Sequence, residues 1–159
     1  MNYWLMKADP ETDWSWDEQV ADDVTYWDGV RNARAQNNMK AMRLGDKVFF
    51  YHSQKEKRIV GIVEIAKEFY PDHTVEAGKY GMVDIKTVGP LARPVTLRQI
   101  KEDERLGHLS LVRQSRLSVS AIDARAWKII CTMGPKCWEV ETLAKLIDAG
   151  KYLNHRYCS

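Results

Sequence analysis

"DGVRNARAQNNMKAMRLGDKVFFYHS", residues 28–53, joins two segments of different chemistry. Val48, Phe49, Phe50 and Tyr51 follow the turn pair Gly45-Asp46 and read as a buried strand. Residues 31–43 read as a helix, with Ala35, Met39 and Met42 at i, i+4 and i+7 forming one apolar stripe. That helix also carries Asn32, Asn37 and Asn38, although asparagine competes with the backbone for hydrogen bonds and weakens helices. Two explanations stand. An amide offers an acceptor and a donor together, which suits the mixed edge of a nucleobase. Alternatively, Asn32 caps the helix while Asn37 and Asn38 bond the backbone of a neighbouring loop.

Working outward, "NYWLMK" (2–7) reads as a strand that Pro10 ends. Asp13 is the expected N-cap of a short helix over 14–20. "RIVGIVEIAKEFY" (58–70) is a β-branched strand, joined to the previous one by the charged loop "QKEK". Residues 80–88 form a further strand closed by Gly89-Pro90. Thr96 caps a helix, a second short helix covers 106–114, and "RLSVSAI" (116–122) returns to the sheet. Asp123 starts a helix through Ile130. A last helix is expected over 137–148, with Gly150 as its stop. Hairpin-joined strands with helices around them predict an α+β fold with a mainly antiparallel, barrel-like sheet.

At 159 residues the chain is one domain with room for a real core. Its formal net charge of +2 hides a local imbalance. Residues 9–28 hold eight carboxylates and no Lys or Arg, whereas residues 31–58 hold eight cations against two carboxylates. Clustered cations are the mark of a nucleic-acid face, and the same pattern also arises from two oppositely charged elements lying side by side. No basic segment followed by an apolar stretch opens the chain, and no apolar run is of bilayer length, so an intracellular, non-membrane protein is expected. Three cysteines make no disulfide framework. A zinc site from Cys131, Cys137, His155 and Cys158 has the wrong spacing, and reduced structural thiols are the better reading.

Phosphate loops of the P-loop or dinucleotide type, the G-x-S-x-G elbow and the H-E-x-x-H pair are all missing from the sequence. His52 is expected at a core or rim position, bonded to backbone, and on the opposite strand face from Tyr51 and Ser53. The aromatic residues say more. Six tryptophans stand against three phenylalanines, and Trp4, Trp14, Trp16 and Trp27 crowd the first 27 residues. Trp4, Trp14 and Trp16 read as packing residues. Trp27 is expected at a loop-to-helix junction beside Arg31 and Asn32, where an indole face and amide groups would suit a stacked base.

The segments "NYWLMKADPE", "YWDGVRNARAQNNMKAMRLGDKVFFYHS", "VGIVEIAKEFYPD" and "RLSV" together resemble the EVE domain family, in order, over roughly residues 2–131. That family includes thymocyte nuclear protein and small bacterial proteins. The resemblance implies a PUA-like fold: a small bent β-barrel surrounded by helices, related to YTH and ASCH domains. Residues 1–132 would form this domain and 133–159 a helical extension packed on it. Ala8 stands where the family usually has serine, and Ala33 where it has tyrosine.

The implied activity is binding of DNA or RNA that carries a modified base, such as 5-methylcytosine or an oxidised derivative. The base would flip into a pocket formed by Trp27, Asn32, Lys7, Asp9, Tyr51 and Ser53. Arg31, Arg34, Lys40, Lys55, Lys57 and Arg58 would hold phosphates. Neither metal nor cofactor is implied. The location is cytoplasmic in a bacterium or nuclear in a eukaryote. Two other classes remain: an enzyme on modified nucleic acid, related to ASCH-type hydrolases, with Lys7 and Asp9 as acid and base; and an interaction module whose acidic segment docks on a basic protein.

Overall fold

β3 (Lys47–His52) is buried from Val48 to His52 and organises the molecule. The computed structural model describes residues 1–73 and 80–133; the helix expected over 137–148, and with it Cys137, His155 and Cys158, lies outside the described residues. Side chains alternate across a strand, so one apolar run feeds two cores. Phe49 and Tyr51 pack with Leu5, Trp127 and Ile130 on one face. Val48 and Phe50 pack with Trp4, Met6 and Met39 on the other.

β1 (Tyr3–Ala8) runs parallel to β3 and antiparallel to β6 (Val119–Ile122). β3 pairs antiparallel with β4 (Arg58–Pro71), β4 with β5 (Gly81–Thr96), and β5 with β2 (Val24–Trp27). The resulting order is β2-β5-β4-β3-β1-β6. The sheet is mainly antiparallel, as expected, but it does not close into a barrel: among the described residues no ladder joins β2 to β6. A helix meets β6 instead, through the Asn38 side-chain amide donating to the Val119 carbonyl at 2.8 Å.

α1 (Trp16–Asp22) and α2 (Ala33–Ala41) cover one face, whereas α3 (Leu97–Glu102), α4 (Ser110–Arg113) and α5 (Ala124–Thr132) cover the other. The expected stripe of α2 is fully buried at Ala35, Met39 and Met42. Its asparagines are structural at two positions. Asn32 Oδ1 accepts from the backbone N–H groups of Arg34 and Ala35 as the N-cap, and Asn38 ties α2 to β6. Thr96 and Asp123 cap α3 and α5 as predicted.

Several boundaries differ. The helix expected over 31–43 spans only Ala33–Ala41, with Asn32 and Met42 as its caps. α1 begins at Trp16, where Ser15 and Glu18 form a capping box, and the Asp13 and Trp14 N–H groups turn back to the Asp9 carbonyl. The expected 106–114 helix splits into a 3₁₀ turn, Glu104–Leu106, and α4. The returning strand starts only at Val119. β5 continues through Gly89-Pro90, since Pro90 lies opposite Gly61 where the ladder slips register and asks for no regular N–H bond. Gly61 serves a second need there. A Cβ at that position would stand 2.4 Å from the Trp16 ring, so only glycine lets α1 sit on β4.

Among the described residues no helix is long and apolar enough to cross a membrane.

Candidate nucleic-acid site

The turn after β1 is shaped by Asp9. Its Oδ1 accepts from the Glu11 N–H at 3.0 Å and its Oδ2 from the Thr12 hydroxyl at 2.7 Å. Its backbone carbonyl takes the N–H groups of Asp13 and Trp14. These bonds present Asp13 and Trp14 just before α1. The Trp14 indole N–H then donates to Gln19 Oε1 at 2.9 Å. Gln19 is fully buried; its Oε1 also accepts from the Thr25 hydroxyl, and its Nε2 donates to the Asp23 carbonyl. Asp23 turns the chain out of α1 with φ of 65° and ψ of −64°, the strained backbone of a γ-turn with positive φ.

β2 follows at once, a strand that sequence reasoning missed; it places Trp27 at a strand end opposite Val83. Trp27 is 6% exposed, and the edge of its ring packs against Phe50 at 5.7 Å and 88°. It is therefore a core residue with one remaining side. That side borders a cavity of about 440 Å³ shared with Asp13, Trp14, Thr25, Tyr26 and Asp28. Volumes of 300–1,000 Å³ are typical of small-ligand pockets. Asp22 and Val24 complete the lining.

The electrostatics of this cavity are negative. Partial burial pushes the Asp13 carboxyl above its ordinary range, and the charges of Asp28, Asp9 and Glu18 push it further. A phosphate would be repelled among these groups. A base edge rich in N–H donors would be accepted by them.

The other expected pocket residues lie elsewhere. Lys7 Nζ donates to the Ser115 carbonyl at 2.9 Å and lies 5.8 Å from the Tyr51 ring centroid. Burial lowers the Lys7 pKa. Tyr51 is 3% exposed within the opposite core, and burial raises its phenol to about 12. The Ser53 N–H donates to the Ala8 carbonyl. Asn32 lies in a separate groove. His52 is a buried structural group, as expected: its Nε2 accepts from the Trp16 N–H at 2.9 Å. Its Nδ1 stands 3.1 Å from Glu56 Oε1, in a geometry short of a full hydrogen bond. Cys131 is buried in the α5 core, where burial drives its thiol pKa upward.

The six expected phosphate ligands do not gather either. The Arg31 guanidinium lies 4.4 Å from the Tyr80 ring and 3.9 Å from Asp72. Lys40 lies over Phe69, Lys55 pairs with Glu11, and Arg58 pairs with Glu56. Lys57 sits in the hairpin turn with φ of 47°. Arg34 lines a groove of about 420 Å³ shared with Asn32, Arg113, Gln114, Ser115 and Arg116.

Sequence reasoning thus missed Asp13, Trp14 and Asp28 for the cavity, and Arg113 and Arg116 for the groove. The pair "DW" directly after the Pro10 turn was the available signal for the first set, and "RQSR" ahead of the last strand for the second.

The family model of the EVE domain matches residues 2–133. Thymocyte nuclear protein 1 of Rattus norvegicus is 33% identical over 165 residues, covering 83% of this chain and 73% of the relative. The solution structure of a Rhodopseudomonas palustris protein superposes with a TM-score of 0.80 at 49% identity, covering 84% of this chain and 93% of the other. The crystal structure of human THYN1 in complex with 5-methylcytosine-containing DNA gives 0.79 at 31% identity, covering 84% and 97%. An ASCH protein of Zymomonas mobilis shares the fold alone, at a TM-score of 0.52 and 11% identity over 84% and 99%.

Proposed function

The chain belongs to the EVE domain family, with its PUA-like α+β fold, and from that premise we propose that it is a nucleic-acid-binding module that draws a modified base into the cavity between Trp14 and Trp27. The base we assign to it is 5-methylcytosine or an oxidised form of it, a choice that rests on the human relative solved with 5-methylcytosine-containing DNA. Cytosine offers an amino donor where Asp13 and Asp28 supply carboxylate acceptors. Val24 and Tyr26 supply apolar surface for a ring substituent. Trp27 forms the deep wall, Trp14 the outer one, and Asp9 and Gln19 hold that outer wall in place.

The observation that carries this reading is the joining of two indoles and three carboxylates around one cavity of nucleobase-binding size. The human relative, solved with 5-methylcytosine-containing DNA, supports the choice of base. An enzymatic reading has no comparable support. Lys7 and Asp9, its acid and base, are committed to separate partners: the Ser115 carbonyl, and the turn groups of Glu11 and Thr12. Cytoplasm in a bacterium, or nucleus in a eukaryote, is the matching location.

A binding panel at fixed salt tests the proposal, with modified cytosines and adenines placed in otherwise identical DNA and RNA oligonucleotides. One methyl in an apolar pocket is worth about 1–3 kcal/mol, so a preference on the order of tenfold for one modified cytosine is expected. Equal affinity across the panel overturns the reading.

A further inference from the structure

A second concavity lies between the start of α2 and the loop after α4, and its chemistry is opposite to that of the base cavity. Arg34, Arg113 and Arg116 line it, no carboxylate does, and its volume is about 420 Å³. All three arginines are exposed. Among the described residues neither Arg34 nor Arg116 forms an ion pair. The Nε of Arg113 donates to the Gly107 carbonyl at 3.0 Å, which aims the guanidinium and leaves its outer nitrogens for another partner. The first turn of α2 contains no acidic residue, so the positive end of the helix dipole adds to the same field. Lys7 is outside the lining and bears on the groove only through Ser115, whose carbonyl accepts from its Nζ. Three cations around a groove without a counter-charge call for an anion that offers several oxygens, and guanidinium forks fit phosphate oxygens two at a time.

One short segment bears on both concavities: Lys7 bonds the loop of Arg113 and Arg116, and Asp9, two residues on, holds the turn that presents Asp13 and Trp14.

We propose that this groove seats the sugar–phosphate backbone beside the captured base, with Arg34, Arg113 and Arg116 as its phosphate ligands. The proposal rests on the base-binding reading above and adds where the strand runs. It replaces the dispersed set of Arg31, Lys40, Lys55, Lys57 and Arg58, of which Arg31, Lys55 and Arg58 each lie within 4 Å of a carboxylate. Acidic cavity and basic groove divide the labour: the first repels phosphate and admits a base, and the second anchors the backbone without reading sequence.

The test is fluorescence anisotropy with two single-stranded oligonucleotides, one carrying 5-methylcytosine and one unmodified, over a series of salt concentrations. Wild type is compared with an Arg34→Gln/Arg116→Gln double variant, and with Arg98→Gln on α3 as a surface-charge control. Thermal melting verifies that each variant folds. The double variant is expected to lose about tenfold or more in affinity for both oligonucleotides. Its salt slope should fall by about 1.4, the value for two lost phosphate contacts on a single strand. The ratio between the two oligonucleotides should stay unchanged. A double variant that binds with wild-type affinity and slope overturns the groove, as does an equal loss in Arg98→Gln or a wild type that binds neither oligonucleotide. A wild type that binds both equally overturns base capture instead, and the salt slope still decides the groove.

Discussion

The indole N–H of Trp14 donates to Gln19 Oε1 at 2.9 Å, and the same oxygen takes the Thr25 hydroxyl at 2.7 Å. One fully buried amide thus fixes the outer wall of the cavity to its floor strand. Gln19→Leu keeps the volume and removes the acceptor, leaving the Trp14 and Thr25 donors short of a partner, while the Asp23 carbonyl keeps the Thr87 N–H at 2.9 Å. Each unsatisfied buried group costs about 1–3 kcal/mol. Chemical denaturation should show a loss of roughly 2–4 kcal/mol after partial relaxation. Affinity for the modified oligonucleotide should fall with it.

Gly61→Ala tests the seat of α1. The added methyl would stand 2.4 Å from the Trp16 ring, and overpacking of this kind costs about 1–3 kcal/mol. Trp16 also carries the N–H that bonds His52, so displacement of the helix should disturb the adjoining cavity. Lowered melting temperature together with weakened base preference is the expected result; unchanged melting would mean that Trp16 moves aside freely.

Asp13→Asn separates charge from shape in the cavity. Burial first, and Asp28, Asp9 and Glu18 second, raise the pKa of Asp13 in the folded protein. The folded state therefore holds this proton more tightly than the unfolded chain does. Stability is fully present below the unfolded carboxylate value, about 3.9, and is lost as pH rises through the raised folded value. The asparagine variant should melt slightly higher than wild type at neutral pH, and the gain should vanish near pH 3. Its affinity for the cytosine-bearing oligonucleotide should drop several-fold, because a neutral amide oxygen is a weaker acceptor than a carboxylate.

Tyr51 predicts alkaline behaviour. Its phenol, near 10 in an unfolded chain, is raised to about 12 by burial. Stability held below pH 10 should be lost as pH climbs from 10 through about 12, since only the unfolded state releases this proton in that window. Tyr51→Phe should remove that increment, on the order of 2–3 kcal/mol at the upper end. Melting curves of both proteins across the alkaline range give the comparison.

The strands and helices that were legible in the sequence are those with a strong period or a clean cap. β3 announced itself through an unbroken apolar run, α2 through Ala35, Met39 and Met42, and α3 and α5 through Thr96 and Asp123. What stayed hidden depends on pairing across distance. β2 is four residues long with two exposed side chains, and only its ladder with β5 makes it a strand. Pro90 looked like a terminus because the register slip opposite Gly61 has no local signature. At the site, Trp27 borders a cavity that Trp14 borders as well, and its burial against Phe50 is a tertiary fact. Asn32 carried two open readings, and the structure shows the capping one in place. Trp14 read as packing because its hydrogen bond to Gln19 and its place at the cavity emerge only once β2 is docked.

Trp27 is 6% exposed, and truncating such a residue to alanine costs about 3–5 kcal/mol, so loss of binding in Trp27→Ala would report on folding as much as on recognition. Trp14 is only half-buried and is the better probe. The most direct measurement is the affinity of wild type and Trp14→Ala for one oligonucleotide with and without a single 5-methylcytosine. Stacking on an indole is worth about 1–3 kcal/mol, so Trp14→Ala should lose about tenfold or more on the modified strand and most of the preference over the unmodified one. A folded Trp14→Ala protein that keeps the wild-type affinity and preference would contradict base capture in this cavity.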